Sequence, residues 1–471
     1  MKRRRLLALV VLPLLISWAA GFWLVTYGTG VLAEEEWLSA AFDSLARSLV
    51  HGEATVDEEA IAWEGINLEG KLYMYFAPFP ALLRIVPDQL FPHLYGRWSR
   101  LSCWIAFCLA TAAFAVVVLE ASAANPTLRP RARAVLVASS VLACGLGTVL
   151  VYLVSCARLY HEPILWATAW AMVALVFIQR CLSTPVASTR DLGGLALAAG
   201  GALLSRLTLG VPLMVIFAVL AGHALWQRRG EVIRGAARVR WGLALALLPA
   251  VLAVGLTLWY NHARFGSVWE TFDYSGFYFD PREVGGVFNL RRLPSALLNY
   301  FGMTTEYLGS LPPYVRMVST RYLEDGLFFH WHEETISFSL ASGWLLLGGL
   351  VGTVQVLRDR VWREVVVWVA LLAQVVLIHA YYFVTHRFQA EFMPLFVFSF
   401  VAFCARWDFK RRAAALLPRV LVVLSLVSVL VSVAATLDWN MRLSGDTPDS
   451  YKSRLSQLFG AGPEAPAPPG P

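Results

Sequence analysis

The chain has 471 residues, of which 58% are hydrophobic and only 15% are charged. Its mean hydropathy of +0.59 excludes an ordinary soluble globular protein. Apolar runs long enough to cross about 30 Å of hydrocarbon recur along the whole length, without the alternation of a β-barrel. The composition therefore predicts an all-α polytopic membrane protein.

The net charge of +7 comes largely from arginines in short loops beside the apolar runs. In a soluble protein this charge would suggest nucleic acid, but here it is typical of topology signals, so no nucleic-acid partner is expected. The six cysteines show no CxxC pair and no Cys/His ligand spacing. Neither a disulfide framework nor a zinc site is predicted.

The first apolar run, 6–27, follows the basic sequence Lys2-Arg3-Arg4-Arg5. Ala19-Ala20-Gly21 offers a cleavage site for a signal peptide. However, the apolar region of a signal peptide has about 7 to 15 residues, and this run is longer. The pattern favours an uncleaved anchor over residues 1–27 with its basic end in the cytoplasm.

A large outer loop is predicted over 28–97. In the segment 34–50, Trp37, Ala41, Leu45 and Leu49 share one helical face, which predicts a helix lying along the outer membrane surface. An acidic and then aromatic stretch follows at 51–87. Its carboxylates are Asp57, Glu58, Glu59 and Glu64, and its aromatic and proline run is Tyr75-Phe76-Ala77-Pro78-Phe79-Pro80.

About eleven spans are predicted, with the amino end inside and the carboxyl end outside. The segment 192–226 is too long for one span and has Ser205-Arg206 in its middle, so it is interpreted as a hairpin of two short helices. The long segment 261–337 is expected to cover the outer membrane face as small helices and loops. The end of the tail, PEAPAPPGP, is disordered by composition. After the anchor, the spans are predicted at 98–119, 134–154, 163–177, 192–226 (two), 241–260, 338–357, 365–383, 392–404 and 413–437.

The predicted organisation follows from these spans. There is no internal repeat of the kind seen in many secondary transporters. The regions are the anchor 1–27, outer loop 28–97, membrane bundle 98–260, large outer loop 261–337, second bundle 338–437 and outer tail 438–471.

This topology brings four distant segments to the outer face: the acidic loop, 158–162, 261–266 and 385–388. They carry carboxylates, histidines and arginines, which suit a reaction between an anionic lipid and a hydroxyl or amine acceptor. Simpler interpretations stay open. The acids could simply be solvated charges of a loop. His161-Glu162 could have no role beyond the start of a span, and Arg264 and Arg387 could merely extend their side chains to the membrane interface. The aromatics could form an interfacial belt or stack on a sugar.

At these residues the chain resembles the bacterial integral-membrane glycosyltransferases of the GT-C superfamily, which includes the protein mannosyltransferases and the aminoarabinose transferases. The resemblance extends from the first span to about Pro394, although Ala77 departs from the usual glycine. The matching motifs are Ser48-Leu49-Val50-His51-Gly52, Val56-Asp57, Gly70-Lys71-Leu72-Tyr73, Phe76-Ala77-Pro78-Phe79-Pro80-Ala81-Leu82-Leu83, Tyr160-His161-Glu162, Leu204-Ser205-Arg206, Tyr260-Asn261-His262-Ala263-Arg264-Phe265-Gly266-Ser267 and Arg387-Phe388-Gln389-Ala390-Glu391-Phe392-Met393-Pro394.

The resemblance implies a polyprenyl-phosphate sugar donor, a lipid, glycan or protein acceptor, and transfer on the extracytoplasmic face of the inner (plasma) membrane. It implies an outer-loop carboxylate as base: Asp57, with Glu58 beside it and Glu36 as the rival. The second-loop acid would be Glu162 with His161. The predicted substrate-binding residues are Lys71, Tyr73, Arg264, His386 and Arg387.

In the mechanism we expect, Asp57 takes the acceptor proton during inverting attack on the anomeric carbon. The departing phosphate needs only positive charge, which Arg387, Arg264 and either His161 or Lys71 would supply. Backbone amides or a divalent cation could share this role. Three alternatives remain at this stage: a transporter or flippase of a lipid-linked substrate, a non-catalytic scaffold, and a glycan polymerase or ligase that uses the same lipid carriers.

Overall fold

The computed structural model describes residues 3–233, 237–324, 326–410, 416–445 and 447–459. Nearly all the regular structure is helical, as the composition predicts. The helices are α1 Arg3–Val25, α2 Ala41–Val50, α3 Glu58–Ile61, α4 Phe79–Leu90, α5 Ser99–Ala124, α6 Pro130–Leu146, α7 Val149–Val154, α8 His161–Leu182, α9 Thr189–Ser205, α10 Leu207–Gln227, α11 Arg229–Ile233, α12 Ala237–Phe265, α13 Leu293–Phe301, α14 Phe338–Ala341, α15 Gly343–Asp359, α16 Trp362–His379, α17 Gln389–Arg406, α18 Leu416–Arg442 and α19 Asp449–Phe459.

Strands occur only as two antiparallel pairs within these described ranges. Strand β1 (Ile66–Leu68) pairs with β2 (Lys71–Tyr73), with Ile66 opposite Tyr73. Strand β3 (Val318–Ser319) pairs with β4 (Glu334–Thr335). Both pairs lie in the two long loops, so the large loops are small helices, turns and hairpins, as predicted.

Eleven of the described helices have 17 residues or more, in agreement with the predicted number of spans. The chain is therefore a polytopic, all-α membrane protein. Within the described ranges, seven helical segments are long and apolar enough to cross a membrane: Ser99–Ala124, His161–Leu182, Leu207–Gln227, Arg240–Phe265, Trp362–His379, His386–Arg406 and Leu416–Arg442.

The bundle is built around α17, which is buried almost throughout its apolar length. Helix α15 packs tightly against it through Gly352, where a Cβ atom would lie only 1.7 Å from the carbonyl oxygen of Ser399. Helix α12 is at the periphery, and large apolar side chains such as Trp241 and Leu245 are exposed on it. Such a surface is suited to lipid.

The predicted break in the 192–226 segment is confirmed. Arg206 has an extended backbone (φ −152°, ψ 124°) between α9 and α10. Both helices are longer than the prediction, with 17 and 21 residues. The break leaves an arginine side chain at the end of two helices.

A buried ion network fastens the first outer loop to the bundle. Arg84 of α4 lies 2.5 Å from the Asp43 carboxylate of α2 and 2.7 Å from the Glu162 carboxylate of α8. It also donates to Ser99 Oγ of α5 at 2.9 Å and to the carbonyl oxygen of Ser39. Helices α2 and α4, lying outside the spans, are thereby held against α5 and α8.

The structure describes only part of the outer tail 438–471. Helix α19 lies in the tail, and its Tyr451 ring contacts Trp23 and Tyr27 at the end of α1. The end predicted to be disordered, PEAPAPPGP at 463–471, falls outside the described residues.

Candidate active site

A cavity of about 1410 Å³ opens where the first outer loop, the large outer loop and the ends of several spans meet. It brings together the four segments that the topology predicted to share one face. Residues that supply its polar groups are Glu64, Tyr75, Arg158, Tyr160, Ser205, Arg206, Thr208, Thr257, Asn261, Arg264, Thr271, Tyr274, Tyr278, His330, Glu333, Gln374, Tyr381, Tyr382 and Arg387.

Glu64 is a buried carboxylate in the lining of this cavity. It ends the short turn Ala62–Glu64 and is only 1% exposed. Tyr75 donates a hydrogen bond to its Oε2 at 2.8 Å, and the hydroxyl of Tyr160 donates to its Oε1. Burial raises the pKa of Glu64, while the hydrogen bonds from Tyr160 and Tyr75 and the positive charge of Arg387 lower it in part. The net pKa is above that of an ordinary glutamate.

Arg387 lies beside this carboxylate. Its Cζ is 4.7 Å from the centroid of the Tyr160 ring, whose hydroxyl bonds Glu64. Its Nη1 lies 3.0 Å from Glu333 Oε1, and the hydroxyl of Thr385 donates to the other oxygen of Glu333. Glu333 therefore orients Arg387, whose guanidinium carries five N–H donors in a fixed planar fork.

A second arginine, Arg206, lies near the Phe388 ring at the break between α9 and α10. Its Cζ is 5.4 Å from the Phe388 centroid, and that of Arg387 is 5.9 Å from the same centroid. Arg206 Nη2 is 2.5 Å from Glu391 Oε1, and Gln374 donates to Glu391 Oε2 at 3.1 Å. Two guanidinium groups are thus held near one aromatic ring.

The cavity continues as an apolar groove between α10 and α16. Its walls are Val211, Pro212 and Val215 of α10 and Ala370 and Ala373 of α16. Val215 lies eight residues beyond the start of α10 at Leu207, which corresponds to roughly 12 Å along the helix axis. Val211 and Val215 remain about half exposed. The cavity therefore joins a charged end to an apolar surface at membrane depth.

Arg264 contributes to the cavity from the last turn of α12. Its guanidinium donates to the Met74 carbonyl oxygen and to Asn261 Oδ1, both at 2.9 Å. It also stacks on Tyr260 and Phe265, with Cζ at 4.0 Å and 4.6 Å from the ring centroids. The motif Asn261–Phe265 thus ties α12 to the first outer loop.

The predicted acids Asp57, Glu58 and Glu36 are not among the described residues that line the cavity. Asp57 is exposed at the start of α3 and accepts a hydrogen bond from Ser44 Oγ at 2.8 Å. Glu58 is exposed on the same short helix. Glu36 forms an ion pair with Arg100 at 2.5 Å. Their predicted role as the base stays a prediction.

The other predicted residues are spread around the site. His161 is buried, with Nδ1 2.9 Å from the Cys156 carbonyl oxygen, and its ring packs on Tyr152. His386 packs on the same Tyr152 ring. The Glu162 carboxylate forms an ion pair with Arg84, as described above. Within the described part of the chain, none of these three lines the cavity.

Lys71 and Tyr73 belong to strand β2, beside the cavity rather than in its described lining. Lys71 is exposed, and Tyr73 contacts the Phe265 ring at 6.5 Å. Among the residues that the structure describes, no three His, Cys, Asp or Glu side chains are grouped as a metal site would require.

Glu64 and Tyr160 are the functional candidates that the sequence interpretation did not select. Glu64 belongs to the acidic stretch, but its immediate neighbours are apolar: Ile61-Ala62-Trp63 before it, and Gly65-Ile66 after it. Asp57, Glu58 and Glu59, in contrast, are consecutive. An acid isolated in an apolar run is the signal that could have identified the buried carboxylate, because clustered acids are usually solvated.

Comparisons with known proteins give only remote likenesses. No family model and no curated protein matches the chain. The structure is similar to the apo oligosaccharyltransferase of Archaeoglobus fulgidus (TM-score 0.47, 14% identity, 99% of this chain and 61% of that one). It is also similar to oligosaccharyltransferase AglB from Archaeoglobus fulgidus in complex with an inhibitory peptide and a dolichol-phosphate (TM-score 0.43, 12% identity, 97% and 61%).

A third similar structure is ArnT from Cupriavidus metallidurans bound to undecaprenyl phosphate (TM-score 0.41, 11% identity, 96% of this chain and 77% of that one). The chain spans about three fifths of the length of the oligosaccharyltransferase chains.

Proposed function

We propose that the chain is a membrane glycosyltransferase of the GT-C type. It moves a sugar from a polyprenyl-phosphate donor to a lipid, glycan or protein acceptor on the extracytoplasmic face of the inner membrane. The observation that carries this proposal is the cavity itself, which joins a buried carboxylate and two arginines to an apolar groove between α10 and α16. A donor with an anionic head and an isoprenoid tail has the same two parts.

In this proposal the groove holds the proximal isoprenoid units of the donor. Arg387, oriented by Glu333, and Arg206 bind the phosphate. Both guanidinium groups stay charged throughout, and they stabilise the phosphate as the glycosidic bond breaks, without a proton. The glutamate that pairs with each arginine fixes the position of its guanidinium group before the substrate binds.

Glu64 is proposed as the general base in place of Asp57, because it lies in the cavity and has a raised pKa. A carboxylate with a raised pKa is a stronger proton acceptor when it is ionised. It would take the proton of an acceptor hydroxyl as that oxygen attacks the anomeric carbon. Tyr75 and Tyr160 hold both carboxylate oxygens in place.

The distribution of charge supports the proposed orientation. The arginines Arg129, Arg131, Arg228, Arg358 and Arg360 lie at the helix ends opposite the cavity. Cytoplasmic loops carry an excess of basic residues, so the cavity would open on the extracytoplasmic side.

The test is transfer of label from radiolabelled polyprenyl-phosphate hexose in membranes that contain the wild-type chain or Arg387→Ala at matched expression. We expect label in an acceptor fraction with the wild type only. If the wild type transfers nothing from several donors, the proposal is wrong. If intact lipid-linked sugar instead crosses the bilayer, the chain is a transporter.

A further inference from the structure

Among the residues that the structure describes, Arg264 has no carboxylate partner, unlike the two arginines assigned to the donor phosphate. Only 5% of the residue is exposed. Within the described residues, its hydrogen-bond acceptors are the carbonyl oxygens of Met74 and Tyr260 and the amide oxygen of Asn261. All three are neutral. By contrast, Arg206 and Arg387 each have a glutamate within 3.0 Å.

A buried cation without a countercharge is unfavourable. The end of the α12 dipole and the two stacked rings compensate only part of the cost, because such interactions are weak compared with the desolvation of an ion. Three of the five guanidinium N–H groups are used by the hydrogen bonds to the described residues. Two donors are left on a side chain that lines the cavity.

The contacts of Arg264 also separate it from the donor groove. It binds the backbone of Met74, and the next residue, Tyr75, donates to Glu64. Arg206 and Arg387 instead lie near Phe388, with Cζ at 5.4 and 5.9 Å from its ring centroid, and Arg206 directly precedes α10. Arg206 thus borders the lipid groove at the start of α10, Arg387 lies beside Glu64, and Arg264 is held by the first outer loop through Met74.

We propose that Arg264 binds an anionic group, a carboxylate or a phosphate, of the acceptor, so that the enzyme prefers an acidic acceptor. This rests on the proposed function. The anion supplies the missing countercharge and holds the acceptor with a hydroxyl near Glu64. A bidentate contact with the planar fork would also fix the acceptor's orientation.

The direct test measures equilibrium binding to the purified protein in nanodiscs, and so needs no turnover. The probes are methyl glucuronide and methyl glucoside, which differ by one carboxylate, and glycerol 1-phosphate as the phosphate probe. Quenching of tryptophan fluorescence is the readout, since Trp37 and Trp63 line the cavity. We expect the wild type to bind at least one anion about 10- to 100-fold tighter than methyl glucoside, the range for a hydrogen bond to a charged group. Arg264→Gln should abolish this preference.

A second readout separates the acceptor from the donor. Release of sugar from the labelled donor to water needs no acceptor, so it reports the donor site alone. We expect Arg264→Gln to keep the wild-type KM for donor in this hydrolysis. Arg282→Gln, at an exposed arginine outside the described lining of the cavity, is the matched control and should leave both readouts unchanged.

Several outcomes would overturn the inference. If the wild type binds both anions no better than the neutral glycoside, Arg264 is not an anion site. If Arg264→Gln raises the donor KM tenfold, it binds the donor phosphate. If Arg264→Gln does not fold, Arg264→Lys keeps the charge but loses the fork, and an unchanged anion preference there would contradict a bidentate contact. The absence of any hydrolysis or transfer by the wild type would instead contradict the proposed function, while the binding result would still stand.

Discussion

The carboxylate of Glu64 accepts a hydrogen bond from the Tyr75 hydroxyl at 2.8 Å, inside a cavity that also contains arginines. The two residues are eleven positions apart, on either side of the β1–β2 hairpin. The hairpin turns the chain back so that the tyrosine reaches the acid. A buried carboxylate with two hydroxyl donors has fixed oxygens, which is a requirement for a proton acceptor that must face one substrate atom.

The first prediction concerns this carboxylate. Glu64→Gln keeps the size of the side chain and one acceptor oxygen, replaces the other oxygen by an NH2 donor, and removes the basicity. We expect transfer to fall by about 10² to 10⁴, the usual contribution of general-base catalysis, with donor binding retained. The measurement is the initial rate of sugar transfer at saturating donor, with donor affinity determined separately.

Asp57→Asn is the matched comparison, because Asp57 lies in the same loop but is exposed and outside the described cavity lining. It should keep near-normal turnover. The reverse pattern, with transfer lost in Asp57→Asn and kept in Glu64→Gln, would restore Asp57 as the base.

The second prediction is the pH dependence of transfer. Burial raises the pKa of Glu64, and the hydrogen bond from Tyr160 opposes that rise. The base is active when ionised, so the rate should increase as pH rises through this raised pKa. Tyr160→Phe removes a lowering interaction, so the acidic limb of the pH profile of kcat/KM should move to higher pH. Tyr95 lies outside the described lining of the cavity, with its ring against Arg47, so Tyr95→Phe should leave the limb in place. A limb that moves to lower pH in Tyr160→Phe would refute the assignment.

The sequence was sufficient to predict the helical membrane fold, because the free-energy cost of exposed backbone in lipid leaves few alternatives. It also predicted the break at Arg206, since a charged residue interrupts an apolar run too long for one span. Both predictions depend on local composition.

The site depends on contacts between distant segments, and these were harder to predict. Glu162 could be identified as an unusual acid, but only the fold shows that Arg84, 78 positions earlier, is its partner. In the same way, the run of consecutive acids favoured Asp57 as the base. The environment of Glu64 depends instead on contacts with Tyr75 and Tyr160, which the sequence does not show. The placement of 158–162, 261–266 and 385–388 at one face was predicted, because it follows from the alternation of spans.

The third prediction tests the apolar groove. Ala373 of α16 lines the groove and is exposed, so Ala373→Trp should fill it without disturbing the bundle. We expect weaker binding of undecaprenyl phosphate, by about tenfold or more, and a smaller loss for a short-chain analogue such as geranyl phosphate. Ala244→Trp places the same side chain on an exposed position of α12 outside the described groove. Equal losses for both lipids, or an equal effect of Ala244→Trp, would exclude this groove as the tail site.

The fourth prediction is that the ion network of Arg84 determines stability. Arg84, Asp43 and Glu162 have side chains no more than 3% exposed. Arg84→Met removes the cation and leaves two buried carboxylates without a countercharge, which should cost about 3 to 5 kcal/mol in the free energy of unfolding. The expected result is a clearly lower melting temperature of the purified protein in detergent. Arg282→Met, at an arginine whose side chain is 81% exposed, should have the same melting temperature as the wild type. If Arg84→Met also melts with the wild type, the network does not hold the outer loop on the bundle.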